Sequence, residues 1–345
     1  MLDAGAAVFL VTSPANVRYL TGFTGSAGVL ALSVDGHDRL FTNFLYQTQV
    51  TDELDPAVEA VIASQPLLVE ARSALAGEPR VAFESAHLSV AEWEIWRAAE
   101  GPELEAVTGW AEALRAVKAP EEMDAIERAA TAADLAFADI LGEVMPGVTE
   151  RALAARLDWL LVAYGAERPA FETIVAFGER SALPHAAPTG RALESGEVVL
   201  FDFGAIVDGY ASDMTRTVSC GAPDPRLAEI YAVVLRAQSA ALEGLVAGIT
   251  GREADALARD LIEAAGHGEH FGHSLGHGIG LEVHEDPRLG KKSETELETG
   301  MVVTVEPGIY IEGLGGVRIE DDAAVGPDGA RVLTHAPKGG LITTC

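Results

Sequence analysis

FGHSLGHGIGLEVHE, residues 271–285, is the most informative segment of the chain. It carries His273, His277 and His284 among four glycines. Neutral histidine is a common metal ligand and proton carrier near pH 7, and glycine lets the backbone approach a site closely. A helical HExxH zinc motif is excluded, because Ser274 follows the first histidine and the glycines disfavour a helix. The segment predicts extended chain with one ligand histidine and two assisting ones; the alternative is a glycine- and histidine-rich surface loop.

Composition indicates a globular protein of two domains. The 345 residues suffice for two domains of ordinary size, and a hydrophobic content of 48% supports a sizeable core. The net charge of −29 disfavours binding to nucleic acid and to anionic membranes. No signal pattern or apolar run of membrane-spanning length is present, and the two cysteines form no disulfide framework. We therefore expect a cytoplasmic enzyme without membrane or nucleic-acid partners.

Alternating strand and helix patterns predict an N-terminal α/β domain over residues 1–117. This domain has no phosphate-binding loop and no GxGxxG fingerprint. The predicted strands and helices lie at 6–11, 27–34, 58–63 and 80–83, and at 66–76 and 89–99, respectively. A long helical period begins at Pro120, so the second domain is predicted to span residues 118–345.

Four acids stand at unusual places in this second domain. Asp202 interrupts an apolar run, and after a turn the chain returns through Asp213. A second hairpin pattern runs into Glu306 and returns to Glu320. Aspartate is depleted in strands, and an unpaired buried acid is costly. A salt bridge, for example to Arg216, would explain one acid but not the recurrence. We interpret the hairpins as a degenerate repeat whose paired acids face each other.

The four carboxylates carry a charge of −4, which matches two divalent cations. An oxygen-rich set with one imidazole suits Mn²⁺ or Co²⁺ better than a cysteine-type structural zinc site. Two ions about 3–4 Å apart can share a water, lower its pKa and polarise the bond that it attacks. The residues therefore predict a hydrolase with two divalent metal ions, Mn²⁺ first, with Co²⁺ or Zn²⁺ as alternatives.

Four segments resemble the metallopeptidases with the pita-bread fold, and in particular their proline-specific branch. The segments are FDFGAIVDGYASDMTRT (201–217), GHGIGLEVHE (276–285), VEPGIY (305–310) and GVRIED (316–321). The branch contains Xaa-Pro aminopeptidase and Xaa-Pro dipeptidase, or prolidase. The resemblance covers the whole chain and implies an α/β N-terminal domain of the creatinase type before an α+β pita-bread catalytic domain. It also implies a homodimer that hydrolyses the Xaa-Pro bond at the N-terminus of peptides.

The resemblance implies a set of metal ligands. It consists of Asp202, Asp213, His277, Glu306 and Glu320. By the same resemblance, Asp202 binds one metal through both oxygens, and Asp213 and Glu320 bridge the two ions.

The resemblance also implies residues that act on the substrate. His185 holds the substrate and helps to move protons, and His273 and His284 contact the substrate carbonyl and the tetrahedral intermediate. Glu306 takes the proton of the attacking water, and Arg318 orients a ligand carboxylate. The alternatives are a solvated loop residue for His273 and a structural ion pair for Arg318.

Substrate length leaves two alternatives within this branch. The chain is short and has no insertion that would block the far end of the site, which favours a small Xaa-Pro aminopeptidase over a dipeptidase. Of the Asp-x-Arg-Tyr pattern frequent in such aminopeptidases, the segment NFLY (43–46) keeps only Tyr46. Arg288 could bind a substrate carboxylate, as in dipeptidases, or be a surface arginine. A non-catalytic peptide-binding protein of this fold is disfavoured, since all five predicted ligands are present.

Overall fold

A six-stranded mixed sheet forms the first of two units, Met1–Arg115 and Ala116–Cys345, in the computed structural model, which describes residues 5–97 and 101–345. Its strands are β1 (Val8–Val11), β2 (Gly28–Ser33), β3 (Arg39–Thr42), β4 (Glu59–Ile62), β5 (Arg80–Glu84) and β6 (Glu103–Val107). Their order is β4-β3-β2-β1-β5-β6, with β1–β2 and β2–β3 antiparallel and the other pairs parallel.

Helices cover both faces of this sheet, which explains the continuous apolar run of β1. The helices of the unit are α1 (Pro14–Thr21), α2 (Gln49–Glu53), α3 (Leu67–Ala74), α4 (Val90–Arg97) and α5 (Trp110–Ala116). Val8 and Leu10 pack into one hydrophobic cluster and Phe9 and Val11 into the other, as the alternation of a strand requires.

The four predicted strands are present here; three have slightly shorter bounds, and β5 is one residue longer. Strands β3 and β6 and helices α1 and α2 escaped prediction, because they are short and lack a distinct apolar period. The last two positions of the helix predicted at 89–99 lie outside the described residues.

The described part of the second unit contains a four-stranded sheet, a five-stranded sheet and two small ones. The strands are β7 (Arg168–Pro169), β8 (Ile174–Phe177), β9 (Val198–Phe203), β10 (Ala205–Val207), β11 (Tyr210–Ala211), β12 (Met214–Cys220), β13 (Gly276–Gly278), β14 (Glu285–Leu289), β15 (Val302–Val305), β16 (Gly308–Ile311), β17 (Gly315–Arg318), β18 (Asp321–Val325), β19 (Ala330–Val332) and β20 (Ile342–Thr344). The larger sheets run β20-β12-β9-β8 and β14-β13-β15-β18-β19.

Long helices pack on these two sheets, as an α+β unit requires. They are α6 (Pro120–Ile140), α7 (Glu150–Ala163), α8 (Pro225–Gly244) and α9 (Gly251–Ala264). Helices α6 and α7 cover the four-stranded sheet, where the ring of Phe137 lies 6.1 Å from those of Phe201 and Phe203 on β9. Helices α8 and α9 share a hydrophobic cluster with the five-stranded sheet. Thr149 caps α7 by accepting a hydrogen bond from the amide of Ala152.

Both predicted hairpins are present, and each has two levels. The outer strands β9 and β12 pair with each other, while β10 and β11 pair separately at the tip. The second hairpin repeats this plan, with β15–β18 outside and β16–β17 at the tip. The four predicted acids lie close to the points where the pairing of the outer strands ends and the pairing at the tip begins.

Gly276 on β13 shows why the histidine-rich segment needs glycine. A Cβ atom at Gly276 would lie 1.9 Å from the carbonyl oxygen of Thr304, whereas one at Gly272 would meet nothing within 4 Å. The backbone of the neighbouring chain therefore occupies the space of a side chain at Gly276.

We predict that Gly276→Ala lowers the free energy of unfolding by about 2 kcal/mol or more, because β13 must move away from the Thr304 carbonyl. Gly272→Ala, the matched control in the same segment, should change it by less than about 0.5 kcal/mol. Urea denaturation of both variants measures the difference. Equal stabilities would show that the close approach of these backbones is not needed.

Candidate active site

Asp202 and Asp213 come from adjacent strands of the four-stranded sheet. On β9, Phe201 and Phe203 face α6 and α7, so alternation directs Asp202 to the opposite face. Asp213 immediately precedes β12 and is buried. The two strands bring both carboxyl groups to one side of the sheet.

The prediction that Asp202 and Asp213 lie directly opposite each other is wrong in its register. The strand partner of Asp202 is Thr215, and Asp213 lies two residues earlier, on the diagonal. The tip pairs Val207 with Tyr210 across a two-residue turn, and the same register continues into β9 and β12, with Phe203 opposite Met214. The diagonal arrangement keeps both acids on one face.

Glu306 and Glu320 extend from the second hairpin at a common level. The pairing of β15 with β18 ends at Val305 opposite Asp321, and the two glutamates are the next residues outward. The Glu320 amide donates to the Thr215 carbonyl (3.1 Å), and the Thr215 hydroxyl donates to Glu320 Oε2 (2.5 Å). These bonds join the second hairpin to the first.

His277 on β13 turns an unprotonated nitrogen towards the acids. Its Nδ1 donates to the carbonyl of Gly278 (3.0 Å), which leaves Nε2 as a lone-pair donor. Nε2 lies 3.8 Å from Asp213 Oδ2 and 3.4 Å from Glu306 Oε1. Burial lowers the pKa of His277 to about 3, so the ring is neutral at pH 7.

Arg318 links the acids to a second histidine. Its guanidinium donates to Asp202 Oδ2 (2.6 Å), to the Thr215 hydroxyl (2.8 Å) and to the Tyr310 hydroxyl (2.8 Å). Tyr310 in turn lies 3.0 Å from Nε2 of His273, to which its hydroxyl can donate. Burial, and next the charge of Arg318, lowers the pKa of His273 to about 4. Tyr310 was missed by the sequence reasoning; its place in VEPGIY gave only a strand signal.

Burial raises the pKa values of all four carboxyl groups, and repulsion from neighbouring acids adds to this for three of them. Burial, and then Glu320 and Asp202, raises the pKa of Asp213 well above its ordinary range. Burial, and then Glu306 and Asp202, does the same to the pKa of Glu320. Burial raises the pKa of Asp202 despite the adjacent Arg318, and raises the pKa of Glu306 to about 7. These acids need either protons or cations among them.

The donor set fits divalent cations. One carboxyl oxygen of Asp202 and one of Asp213 are buried and have no hydrogen-bond partner among the described residues. Ligand atoms of Asp213, His277 and Glu320 lie within 4.8 Å of one another. Unpaired carboxylate oxygens beside a neutral imidazole are the atoms that a hard or intermediate dication takes as ligands.

A cavity of about 800 Å³ opens over this cluster. Its lining includes the remaining predicted residues, namely His185, His273, His284, Arg288 and Arg318. His185, His284 and Arg288 are exposed to the cavity, and the imidazole of His284 lies 4.3 Å from that of His277 between ring centroids. Arg288 on β14 is the strand partner of His277. The structure thus brings every predicted site residue to one cavity.

Comparison with known families agrees with this geometry. The profile of metallopeptidase family M24 matches residues 124–327, and that of the creatinase/prolidase N-terminal domain matches residues 1–117. The chain belongs to metallopeptidase family M24. Membership confirms the predicted fold class, an α/β N-terminal part before a pita-bread catalytic part, and the predicted metallopeptidase activity.

Several M24 relatives are similar over nearly their full length. An Xaa-Pro dipeptidase of Pyrococcus horikoshii is 39% identical over 96% of this chain and 93% of its own. The structure of an Xaa-Pro dipeptidase from Bacillus anthracis has a TM-score of 0.95 at 42% identity, covering 99% of this chain and 96% of that one. The structure of an X-Pro aminopeptidase from Thermotoga maritima has a TM-score of 0.91 at 35% identity, covering 99% and 97%.

In the parts of the chain that the structure describes, each helix is too short or too polar to cross a bilayer.

The raised carboxyl pKa values predict that metal binding releases protons. The pKa of Glu306 is about 7, and burial and neighbouring acids also raise the pKa of Asp213 and of Glu320, so the metal-free cluster holds protons near pH 7 that a dication must displace. The apparent affinity should therefore rise with pH through 7 and fall as the pH is lowered. His277 contributes no proton, since its pKa of about 3 leaves it neutral. Calorimetric titration with Mn²⁺ in buffers of different ionisation enthalpy should show at least one proton released per protein. A value of zero would contradict the electrostatic description of the site.

Proposed function

We propose that the protein is an Xaa-Pro dipeptidase that uses two divalent metal ions. The observation that carries this proposal is the position of Arg288, which pairs with His277 on the adjacent strand and lines the same cavity. Arg288 has no ion-pair partner among the described residues. An unpaired guanidinium at this place suits the carboxylate of a dipeptide.

The ligands proposed for the two ions are those that the sequence predicted. They are Asp202, Asp213, His277, Glu306 and Glu320. Four carboxylates and one imidazole favour Mn²⁺, with Co²⁺ or Zn²⁺ as alternatives. When bound, two such ions activate a water and polarise the scissile carbonyl.

The residues of the chain supply proton transfer and orientation. Glu306, with a pKa of about 7, is suited to take a proton from the attacking water and to deliver it to the leaving nitrogen. That nitrogen belongs to proline and has no N–H in the substrate, so it must gain a proton to leave. His284 and His273 line the cavity, and we assign both to contact with the substrate carbonyl, with His284 as the donor because Nδ1 of His273 donates to the Ser274 carbonyl. We assign His185, which lines the same cavity, to hold the substrate and to shuttle protons.

The dipeptidase replaces the aminopeptidase that the sequence favoured. That preference rested on the lack of an insertion to close the far end of the site. A cation held beside the metal ligands can select a short substrate without such a wall, and Arg288 is in that place. Relatives named Xaa-Pro dipeptidase also support the change.

An Xaa-Pro aminopeptidase is the second candidate. A cavity of about 800 Å³ exceeds the volume of a dipeptide, and one similar structure carries that name. The homodimer, the cytoplasmic location and the absence of nucleic-acid and membrane partners stay predictions.

We predict that Asp202→Asn and Glu306→Gln each reduce Xaa-Pro hydrolysis at least 1,000-fold (about 4 kcal/mol) and lower the metal content. Each change removes one of four negative charges that face two dications. Asp208→Asn is the matched control, because Asp208 is exposed at the tip of the first hairpin with a φ of 47°, which asparagine tolerates. Turnover and elemental analysis of the purified variants give the answer. Full activity of either site variant with saturating Mn²⁺ would reject the ligand assignment.

We predict that Arg288→Ala raises KM for Xaa-Pro dipeptides about 10- to 100-fold, the value of a charge-assisted hydrogen bond. The same dipeptides with an amidated proline should be poor substrates of the wild type and respond little to the substitution. Arg252→Ala, which removes an exposed arginine paired with Glu294, is the control. If tripeptides were cleaved tenfold better than dipeptides and Arg288→Ala changed nothing, the aminopeptidase would be the correct function.

A further inference from the structure

A buried ion pair lies outside the cavity, between Lys118 and Glu285. Lys118 Nζ is 3.1 Å from Glu285 Oε2, and the two side chains are 1% and 6% exposed. Neither residue lines the cavity. Removing two charges from water is costly, so a pair this deeply buried adds little stability by itself. The location of the pair suggests a role other than stabilising the fold.

Glu285 is the first residue of β14 and closes the loop that joins β13 to β14. Its Oε1 accepts a hydrogen bond from the amide of Glu282 (3.0 Å). Gly280 packs so close that a Cβ atom there would lie 2.8 Å from Glu285 Oε2. The carboxylate thus organises the turn from within. A second contact comes from outside the loop, where the Ala211 amide donates a hydrogen bond to the Gly280 carbonyl (2.8 Å).

Lys118 provides a fixed cation for this carboxylate. Its own amide donates to the carbonyl of Gly300 (2.9 Å), and Nζ also reaches the carbonyl of Ala116 (3.5 Å). The backbone of Lys118 is therefore tied to the chain that enters β15, next to β13 in the sheet. The five-stranded sheet therefore fixes both the Lys118 ammonium group and the β13–β14 loop.

His284 depends on this loop for its position. The ring of His284 makes no hydrogen bond among the described residues, and its centroid lies 4.3 Å from that of His277 at an interplanar angle of 44°. It immediately precedes Glu285, and Arg288 follows three residues later on β14. The orientation of both side chains is set by the backbone that Glu285 anchors.

We propose that Lys118 and Glu285 form a positioning pair that fixes the β13–β14 loop and so places His284 and Arg288 at the cavity. The effect on turnover rests on the proposed function, in which these two residues contact the substrate. The effect on the loop itself does not.

The first test measures the loop without using activity. Lys118→Met and Glu285→Gln should each accelerate amide hydrogen exchange at least tenfold in residues 279–285 of the metal-free protein, and leave β9 and β12 unchanged. The double variant, which removes both charges, guards against loss of folding from one unpaired buried charge and should show the same local change. Arg156→Met, which breaks an exposed pair with Glu143, is the control. Wild-type exchange in the double variant would overturn the proposal, as would acceleration spread evenly over the unit.

The second test is a double-mutant cycle on turnover of an Xaa-Pro dipeptide. With the full metal content, Lys118→Met should lower kcat about 10- to 100-fold, as expected when a catalytic group is displaced. In a His284→Ala background the same change should lower kcat less than threefold, because the group to be positioned is gone. Equal effects in both backgrounds would mean that the pair acts only on general stability. If the wild type cleaved no Xaa-Pro substrate, the proposed function would fail while the exchange test still decided the role of the pair.

Discussion

Repulsion among buried carboxylates is the constraint on which the catalytic unit depends. Asp202, Asp213, Glu306 and Glu320 share one side of the site, and Arg318 is the cation that hydrogen-bonds to one of them directly. In a medium of low dielectric constant such charges repel strongly and lose their hydration. Protons or divalent cations must compensate the negative charges of these carboxylates. The raised pKa values and the carboxylate oxygens without a hydrogen-bond partner both indicate this.

Rigid strands hold the acids together against this repulsion. Each pair comes from a two-level hairpin, and Thr215 ties the two hairpins through both its carbonyl and its hydroxyl. Behind it, the fully buried Arg216 donates to the Glu320 carbonyl (2.5 Å) and pairs with Asp321 (2.7 Å). Backbone and buried charge thereby fix the geometry of the acids without a metal, which reduces the reorganisation that binding of a dication among them would need.

The sequence predicted the acids because they violate the pattern of their strands. Asp202 stands in an apolar run, and the repetition of this anomaly at Glu306 pointed to a shared site. The diagonal offset of Asp202 and Asp213 was missed, although it follows from the two-residue turn at Asp208-Gly209, because the register set by Val207 opposite Tyr210 continues to Asp202 opposite Thr215. The hydrogen bonds that link Arg318 through Tyr310 to His273 could not be predicted from the sequence, because a tyrosine in a strand is common.

Contacts between residues that are far apart in the sequence could not be predicted either. Lys118 and Glu285 are 167 positions apart, and neither lies in a pattern that suggests a partner. The proposed dipeptidase differs from the aminopeptidase that the sequence favoured for a related reason. The position of Arg288 beside His277 follows from a strand pairing with a bulge, which composition and spacing do not reveal.

Anomalous diffraction from crystals of the Mn²⁺-loaded protein would locate the metal ions among these acids. We expect two manganese peaks about 3–4 Å apart, enclosed by the four carboxylates and Nε2 of His277. A single peak, or peaks held by other residues, would contradict this expectation.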